Sequence, residues 1–222
     1  MNGFVLAGGA SSRMGRDKAL LEVAGRPLIV LAIEKLQAPG FVPRICGSRP
    51  DLARFAETIP DNFAGCGPLG GVEAALSVSD SDQNLFLPVD VPELPVAFLR
   101  WMARRAETSG AVATIPRFGG RPQPLCAVYS RRLLPGLRAA LTAGDFKIMA
   151  AIPAAAAAAG EGIDTFDVEA VAAALIPDSW PASPPLARWF RNVNTPEDYE
   201  QLRAEQGVAG GASGANARHP IS

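Results

Sequence analysis

Short apolar runs alternate along the chain with segments whose apolar residues recur every three or four positions. The runs at 4–7 and 84–89 have the length and composition of buried strands, the second being apolar after its first residue. The segments at 28–37 and 95–107 are predicted to be helices. Because strands that alternate with helices pair in parallel through right-handed crossovers, the pattern predicts an α/β fold with a mostly parallel central sheet.

The pattern changes in the second half of the chain. Residues 153–160 are nearly all alanine and are interpreted as a low-complexity spacer without chemistry. The run at 189–193 predicts a last strand.

A helix that ends near Glu205 is predicted to close the folded part. Thr195 and Asp198 have the spacing of a capping box at its start. Residues 206–222 show no apolar periodicity, so we expect a disordered tail there and a single domain over 1–205.

The composition supports a folded core and excludes several classes of partner. The chain has 222 residues, 48% of them hydrophobic, and a formal net charge of −1, which gives no indication of a nucleic-acid partner. No apolar stretch approaches the roughly 18 residues of a membrane span, and no charged leader is visible at the start. We therefore expect a cytoplasmic protein without a membrane partner.

The scarcity of histidine limits the chemistry further. His219 is the only one and falls in the expected tail, which excludes Ser-His-Asp and Cys-His machinery from the folded domain. A metal would have to be held by carboxylates, which favours Mg²⁺. The spacing of Cys46, Cys66 and Cys126 matches no zinc or redox pattern, so these are interpreted as reduced, partly buried thiols.

A glycine-containing basic loop follows the first strand. Gly8 and Gly9 let backbone approach an anion closely, and Arg13, Arg16 and Lys18 supply positive charge. The loop fits neither the Walker pattern nor the dinucleotide fingerprint. Taken alone, it is either a phosphate-binding loop of another kind or an ordinary strand-to-helix turn.

Three further segments are candidates for a site. The glycine-rich stretch 65–71 opens a helix, where it either contacts a ligand or forms only a tight turn. Asp90 ends the strand 84–89, where open α/β sheets bind ligands, and it either holds Mg²⁺ against a triphosphate or caps the next helix. Residues 117–124 are too rich in Gly and Pro for a regular central strand and are predicted to be a specificity loop.

Five motifs in this order resemble the nucleotidyltransferases of the sugar-nucleotide and molybdenum-cofactor type, and most closely the molybdenum cofactor guanylyltransferases. The resemblance covers about residues 3–205, and the last two motifs point to the molybdenum-cofactor branch. The motifs are Leu6–Lys18, Gly67–Gly71, Asp90-Val91-Pro92, Arg121-Pro122-Gln123-Pro124-Leu125 and Asn192–Glu197.

The resemblance implies a three-layer Rossmann-like nucleotidyltransferase fold and a reaction. GMP from GTP would be joined to the phosphate of molybdenum-molybdopterin with release of pyrophosphate, using Mg²⁺. Family members that use CTP carry Ala-Ala-Gly where this chain has Ala7-Gly8-Gly9, so GTP is favoured. The implied partners are GTP, molybdenum-molybdopterin and cofactor-inserting chaperones.

The resemblance also implies roles for particular residues. Arg13, Lys18 and Asp90 would be catalytic, with Asp90 as the Mg²⁺ ligand. Cys46-Gly47-Ser48 departs from the family, which often has Asn there as a nucleotide contact. The implied nucleotide-binding residues are Leu6, Ala7, Gly8, Gly9, Lys18, Asp61, Gly67, Pro68, Leu69 and Asp90. The implied substrate-binding residues are Arg121, Gln123, Asn192 and Asn194.

The chemistry agrees with the absence of histidine from the expected folded domain, because a substrate phosphate is already ionised and needs no general base. Two alternatives remain open. One is a cytidylyl- or sugar-nucleotide transferase on the same scaffold. The other is a non-catalytic nucleotide-binding partner of cofactor-inserting proteins.

Overall fold

The structure is a computed structural model that describes residues 1–8, 17–174 and 180–212. Ten strands and seven α-helices lie in these ranges. The strands are β1 (Asn2–Leu6), β2 (Glu22–Val23), β3 (Arg26–Pro27), β4 (Pro43–Cys46), β5 (Thr58–Ile59), β6 (Gln83–Pro88), β7 (Ala113–Phe118), β8 (Arg121–Pro122), β9 (Val128–Ser130) and β10 (Ile163–Asp167). The helices are α1 (Leu28–Gln37), α2 (Gly67–Val78), α3 (Val96–Ser109), α4 (Leu134–Thr142), α5 (Ile148–Ala158), α6 (Val168–Ala174) and α7 (Pro196–Ala212).

Eight of these strands form one mostly parallel sheet, as predicted. Its order is β10-β7-β9-β6-β1-β4-β5, with β8 paired to β7, while β2 and β3 form a separate hairpin. At the centre, Val5 of β1 lies opposite Ile45 of β4 and Leu87 of β6, both in parallel register. β9 is the exception on the main path, because it runs antiparallel to β6 and to β7.

The sheet separates two hydrophobic cores, which makes the fold three-layered. Side chains of a strand alternate between its faces, and β1 shows this clearly. Val5 belongs to the core that contains α1 and α3, whereas Phe4 belongs to the core that contains α2, α4 and α5. No helix in the described part of the chain is long and apolar enough to cross a membrane.

The interpretation of residues 153–160 as a spacer is wrong. Most of this segment is the second half of α5, and Ala155 and Ala156 are buried against α4. A Cβ built on Gly136 of α4 would lie only 2.5 Å from the Cβ of Ala155, so the glycine and the alanines let the two helices approach closely. Alanine has the highest intrinsic helix propensity, which explains the helix.

The predicted strand at 189–193 is also wrong. A 3-10 turn covers Leu186–Arg188, and the chain continues irregularly to the start of α7. The segment is apolar because Trp189 and Phe190 are buried, with ring centroids 5.6 Å from that of Phe98. The apolar residues of this segment are therefore explained by burial against aromatic side chains, and an apolar run of this kind does not require a strand.

The capping box at the start of α7 is confirmed. The Asp198 N–H donates to Thr195 Oγ1 at 3.2 Å, and the Asp198 carboxylate accepts from the Thr195 N–H at 2.9 Å. The helix continues to Ala212, so the expected tail does not begin at residue 206. Residues 213–222 lie outside the described part of the chain.

Candidate active site

A cleft opens at the carboxyl ends of β1, β4 and β6. The chain passes from β1 to β4 and β5 on one side and then returns to β6 on the other side of β1. The crevice at such a reversal is where open α/β sheets bind ligands. Most of the predicted nucleotide-binding residues line this cleft, namely Leu6, Ala7, Gly8, Lys18, Asp61, Gly67, Pro68 and Asp90.

Three predicted residues from distant parts of the chain meet at this cleft, where Lys18 and Asp90 line it and Asn194 contacts Lys18. Asp90 follows β6, and its Oδ2 lies 3.8 Å from Lys18 Nζ. Lys18 Nζ also donates to Asn194 Oδ1 at 2.5 Å. Lys18 is held at the start of a 3-10 turn that Asp17 caps by accepting from the Ala19 N–H at 3.0 Å. The structure therefore brings the acid, the cation and the carboxamide together, while their roles stay predictions.

The environment of Asp90 suits a cation. Burial raises the pKa of this carboxyl, and the nearby Lys18 ammonium only partly opposes that shift. A partly desolvated carboxylate gains from a bound cation more than an exposed one does. Mg²⁺ is commonly held by one or two carboxylates together with substrate phosphates. The residues present fit such an ion, although no group of three or more potential ligands occurs among the described residues.

Asp61 has an acceptor without a partner. Its Oδ1 is buried, accepts no hydrogen bond among the described residues and would lie 3.8 Å from a Cβ on Gly71. Burial raises the pKa of this carboxyl as well. A buried acceptor left unpaired carries a penalty of about 1–3 kcal/mol, so a ligand that supplies donors here would recover it. Asn62, the next residue, is held by Glu73, to which it donates at 2.9 Å.

The segment that departs from the family pattern is part of the cleft wall. Gly47 has φ of +121°, and a Cβ on it would lie 3.3 Å from Gly8 Cα. Both glycines line the cleft, whereas Ser48 is exposed. At this point of the cleft wall the backbones of Gly8 and Gly47 therefore approach each other closely.

Sequence reasoning missed the ion pairs around Asp17, which lines the cleft beside Lys18. Arg49 pairs with the carboxylates of both Asp17 and Asp51. The hydrogen bonds that Arg49 donates to Asp51 and, to a smaller extent, to Asp17 raise the pKa of its guanidinium. The only sequence signal was the short spacing of Arg49 and Asp51, because Asp17 is distant in sequence.

Some predicted site residues do not line the cleft, and others lie outside the described part of the chain. Gly9 and Arg13 are outside the described residues. The Leu69 side chain is fully buried in the core, so a nucleotide contact there would have to come from its backbone. Asn192 is exposed, and between it and Asn194 the buried Val193 donates its N–H to the Asp90 carbonyl at 2.9 Å.

The segment 117–124 is more regular than predicted. Gly119 and Gly120 both have positive φ and form the turn of a hairpin between the end of β7 and β8. Arg121 is exposed on β8, and the Gln123 N–H donates to the Pro116 carbonyl at 2.8 Å. Neither lines the cleft in the described part of the chain, but Leu125, two residues further on, does.

The three cysteines are free and buried, as the sequence indicated. Burial raises the pKa of the Cys46 and Cys126 thiols well above the usual range. Thiolate chemistry is therefore disfavoured at both, including at Cys46 in the cleft wall.

Comparison with known proteins agrees with this cleft. Residues 3–158 match the family model of the MobA-like NTP transferase domain. The chain belongs to this family. It is 32% identical over 203 residues to the molybdenum cofactor guanylyltransferase of Syntrophotalea carbinolica, with 90% of each chain covered. It is 31% identical over 209 residues to a probable molybdenum cofactor guanylyltransferase of Pyrococcus furiosus, with 90% of this chain and 95% of the relative covered.

A solved structure supports the fold of this MobA-like NTP transferase domain. Molybdopterin-guanine dinucleotide biosynthesis protein A from Archaeoglobus fulgidus superposes with a TM-score of 0.75 over 94% of this chain and 100% of its own. Its sequence identity of 24% makes this a likeness of fold. The predicted resemblance and the predicted fold class are both confirmed.

The family match covers only part of the candidate site. It includes Lys18, Asp61 and Asp90 but ends at residue 158, before Asn194. The contact between Asn194 and Lys18 therefore joins a residue beyond the matched segment to a residue that lines the cleft.

Proposed function

We propose that the chain transfers GMP from GTP to the phosphate of molybdenum-molybdopterin, giving molybdopterin guanine dinucleotide and pyrophosphate. The observation that carries the proposal is the meeting of Lys18, Asp90 and Asn194 in the cleft. Relatives over most of the chain that are named molybdenum cofactor guanylyltransferases support the choice of nucleotide and acceptor.

Guanine would be bound on the Asp61 side of the cleft. Its N1–H and its 2-amino group are adjacent donors, and a carboxylate accepts two such bonds. The phosphates would approach the start of α2, where Gly67 and Pro68 line the cleft and the helix N-terminus favours negative charge. Lys18 would add a positive charge beside them.

Catalysis would rest on positioning and charge neutralisation. A phosphate oxygen of the acceptor forms a bond to the α-phosphorus of GTP, and the bond from that phosphorus to the oxygen bridging to the β-phosphorus breaks. The leaving pyrophosphate carries the charge away. Mg²⁺, held by Asp90, would neutralise phosphate charge, and Lys18 would stabilise the charge that develops on the leaving group.

The acceptor would lie towards Asn194, with Asn192, Arg121 and Gln123 as further proposed contacts. An anionic pterin phosphate suits an exposed guanidinium such as that of Arg121. We further propose that the protein works in the cytoplasm and passes its product to cofactor-inserting chaperones.

The proposal is tested by pyrophosphate release with molybdenum-molybdopterin and Mg²⁺, comparing GTP, CTP and UTP. We expect release with GTP that depends on the acceptor. Preferential release with CTP or UTP would indicate the alternative transferases on this scaffold. Binding of GTP with Mg²⁺ but without any release would indicate a non-catalytic nucleotide-binding protein.

Replacing Asp61 by asparagine is expected to weaken the selection of guanine. The asparagine keeps one acceptor but turns an amide donor towards the guanine donors, so kcat/KM for GTP should fall about a hundredfold. The second readout is the preference for GTP over inosine triphosphate, which lacks the 2-amino group, and this preference should shrink.

The control for Asp61 is Asp80→Asn. Asp80 accepts from Asn2 at the amino-terminal edge of the sheet, away from the cleft. Unchanged discrimination between the two purine nucleotides in Asp61→Asn would refute the contact with guanine.

A further inference from the structure

A buried carboxylate lies three residues beyond Asp90 and belongs to none of the predicted motifs. The Glu93 side chain is only 4% exposed and pairs with two guanidinium groups. Arg191 donates to Glu93 Oε2 from Nη2 at 2.7 Å and from Nε at 3.1 Å, while Arg188 pairs with Oε1. Glu93 thus fastens the segment 188–191 to the loop that follows β6.

Glu205 of α7 completes this cluster from the outside. Its Oε2 lies 2.5 Å from Arg191 Nη2 and 2.7 Å from Arg188 Nη2. The hydrogen bond from Arg191 lowers the pKa of the Glu205 carboxyl to about 2. We call Glu93, Arg188, Arg191 and Glu205 the Glu93 clamp, which joins the loop after β6, the segment 188–191 and α7.

The loop that carries Glu93 is itself anchored on its other side. Lys35 of α1 donates to the Leu94 carbonyl at 2.5 Å. Glu93 is therefore a fixed point from which the two arginines can be positioned, in the same loop that carries Asp90.

The clamp ends directly before the residues that reach the cleft. Two residues after Arg191, the Val193 N–H donates to the Asp90 carbonyl at 2.9 Å. The next residue, Asn194, accepts from Lys18 Nζ. The same short segment therefore touches both members of the Lys18–Asp90 pair and follows directly on the arginine that pairs with Glu93.

We propose that Glu93 is a positioning residue for Lys18. Through Arg188 and Arg191 it holds the segment 188–194, so that the Asn194 carboxamide keeps the Lys18 ammonium in place beside Asp90. This inference rests on the proposed function for its kinetic consequence, but its structural part does not.

A purely stabilising role explains the cluster less well. Trp189 and Phe190 already anchor the segment by apolar packing. A buried ion pair loses hydration of both ions and is often no more stabilising than apolar residues of similar size. The ion pairs add a defined orientation of the segment 188–194 relative to the loop after β6. A lysine proposed to be catalytic requires such a fixed position of its partner.

The experiment compares Glu93→Gln with a matched control, Asp164→Asn. Asp164 forms a two-bond ion pair with Arg105, at 2.7 and 2.8 Å, on the edge strand β10 away from the cleft. Because misplacement of a catalytic group by about 1 Å can reduce the rate a hundredfold, we expect kcat in Glu93→Gln to fall about ten- to a hundredfold. Asp164→Asn should keep the wild-type kcat even where its melting temperature falls equally.

Two further readouts separate positioning from general stability. In Glu93→Gln, but not in Asp164→Asn, exchange of the Val193 amide hydrogen should become faster. In an Asn194→Ala background the effect of Glu93→Gln on kcat should largely disappear, because Glu93 acts through Asn194. Full additivity of these two substitutions would overturn the proposal.

The outcomes distinguish this proposal from the proposed function. If the wild-type protein transfers no GMP, the proposed function fails. The rate of Val193 amide exchange in Glu93→Gln then decides by itself whether Glu93 holds the segment 188–194. If the wild type is active and Glu93→Gln retains its kcat, the clamp does not position Lys18. If Glu93→Gln does not fold, Arg191→Gln removes the two-bond contact with Glu93 and leaves the pair between Arg188 and Glu93 in place. Faster Val193 exchange with reduced kcat then supports the proposal, and wild-type values overturn it.

Discussion

Replacing Asp90 by asparagine is expected to lower kcat for GMP transfer about a thousandfold, with the protein still folded. Asparagine has nearly the same shape but no charge to hold a cation against the phosphates. The stability should be unchanged or higher, because burial raises the pKa of Asp90 and so disfavours its charged form in the folded state. Steady-state kinetics and thermal unfolding measure the two effects.

The binding of GTP provides the control for Asp90. In the wild type, calorimetry should show tighter binding of GTP with Mg²⁺ than without it, and Asp90→Asn should abolish that difference while leaving metal-free binding intact. A variant that retains the gain from Mg²⁺ would show that the metal is held elsewhere.

Replacing Lys18 by methionine is expected to reduce kcat/KM about a hundredfold. Methionine keeps an unbranched stem of similar length but removes the ammonium that lies between Asp90 and Asn194. Lys18→Arg should recover only part of the activity, because a planar guanidinium cannot place one compact charge between those two partners. Kinetics with GTP and the molybdenum-loaded pterin measure both variants.

The Lys18 and Asp90 substitutions should not be additive. Residues that act as a unit lose most of their joint effect when either is removed, so the double variant should be little worse than Asp90→Asn alone. Wild-type turnover in Lys18→Met would remove this residue from the mechanism.

The sequence predicted those features that a local pattern encodes. The apolar runs of β1 and β6 and the helical spacing of α1, α2 and α3 correspond to elements of the structure. Asp90 follows β6 by two residues, close to where the end of the apolar run at residue 89 placed it. The capping box of α7 is local as well and was confirmed.

Contacts between distant segments could not be predicted in this way. Asn194 meets Lys18 across 176 positions of sequence, and Arg191 meets Glu93 across 98. These contacts accompany the turn at 186–188 and the burial of Trp189, which lies in the same core as Val91 and Leu94 of the loop after β6. Nothing in the polar residues themselves signals their partners.

Two local predictions were wrong for different physical reasons. The alanine-rich segment was judged by its low complexity, although high helix propensity and the absence of a side chain at Gly136 make it a closely packed helix. The run at 189–193 was predicted to be a strand because it is apolar. Its backbone forms turn hydrogen bonds rather than pairing with a sheet, as shown by the Arg191 N–H, which donates to the Arg188 carbonyl.

The antiparallel strand β9 bears on how the proposed acceptor specificity could differ between proteins with this fold. Because β9 runs against β6 and β7, it begins at the edge where they end, and Leu125 just before it lines the cleft. The connection from β7 to β9 therefore leaves the cleft edge and comes back to it without crossing the sheet. Its length and side chains can vary without moving β1, β4 or β6, so under the proposed function the same nucleotide cleft could be combined with different acceptor-facing loops.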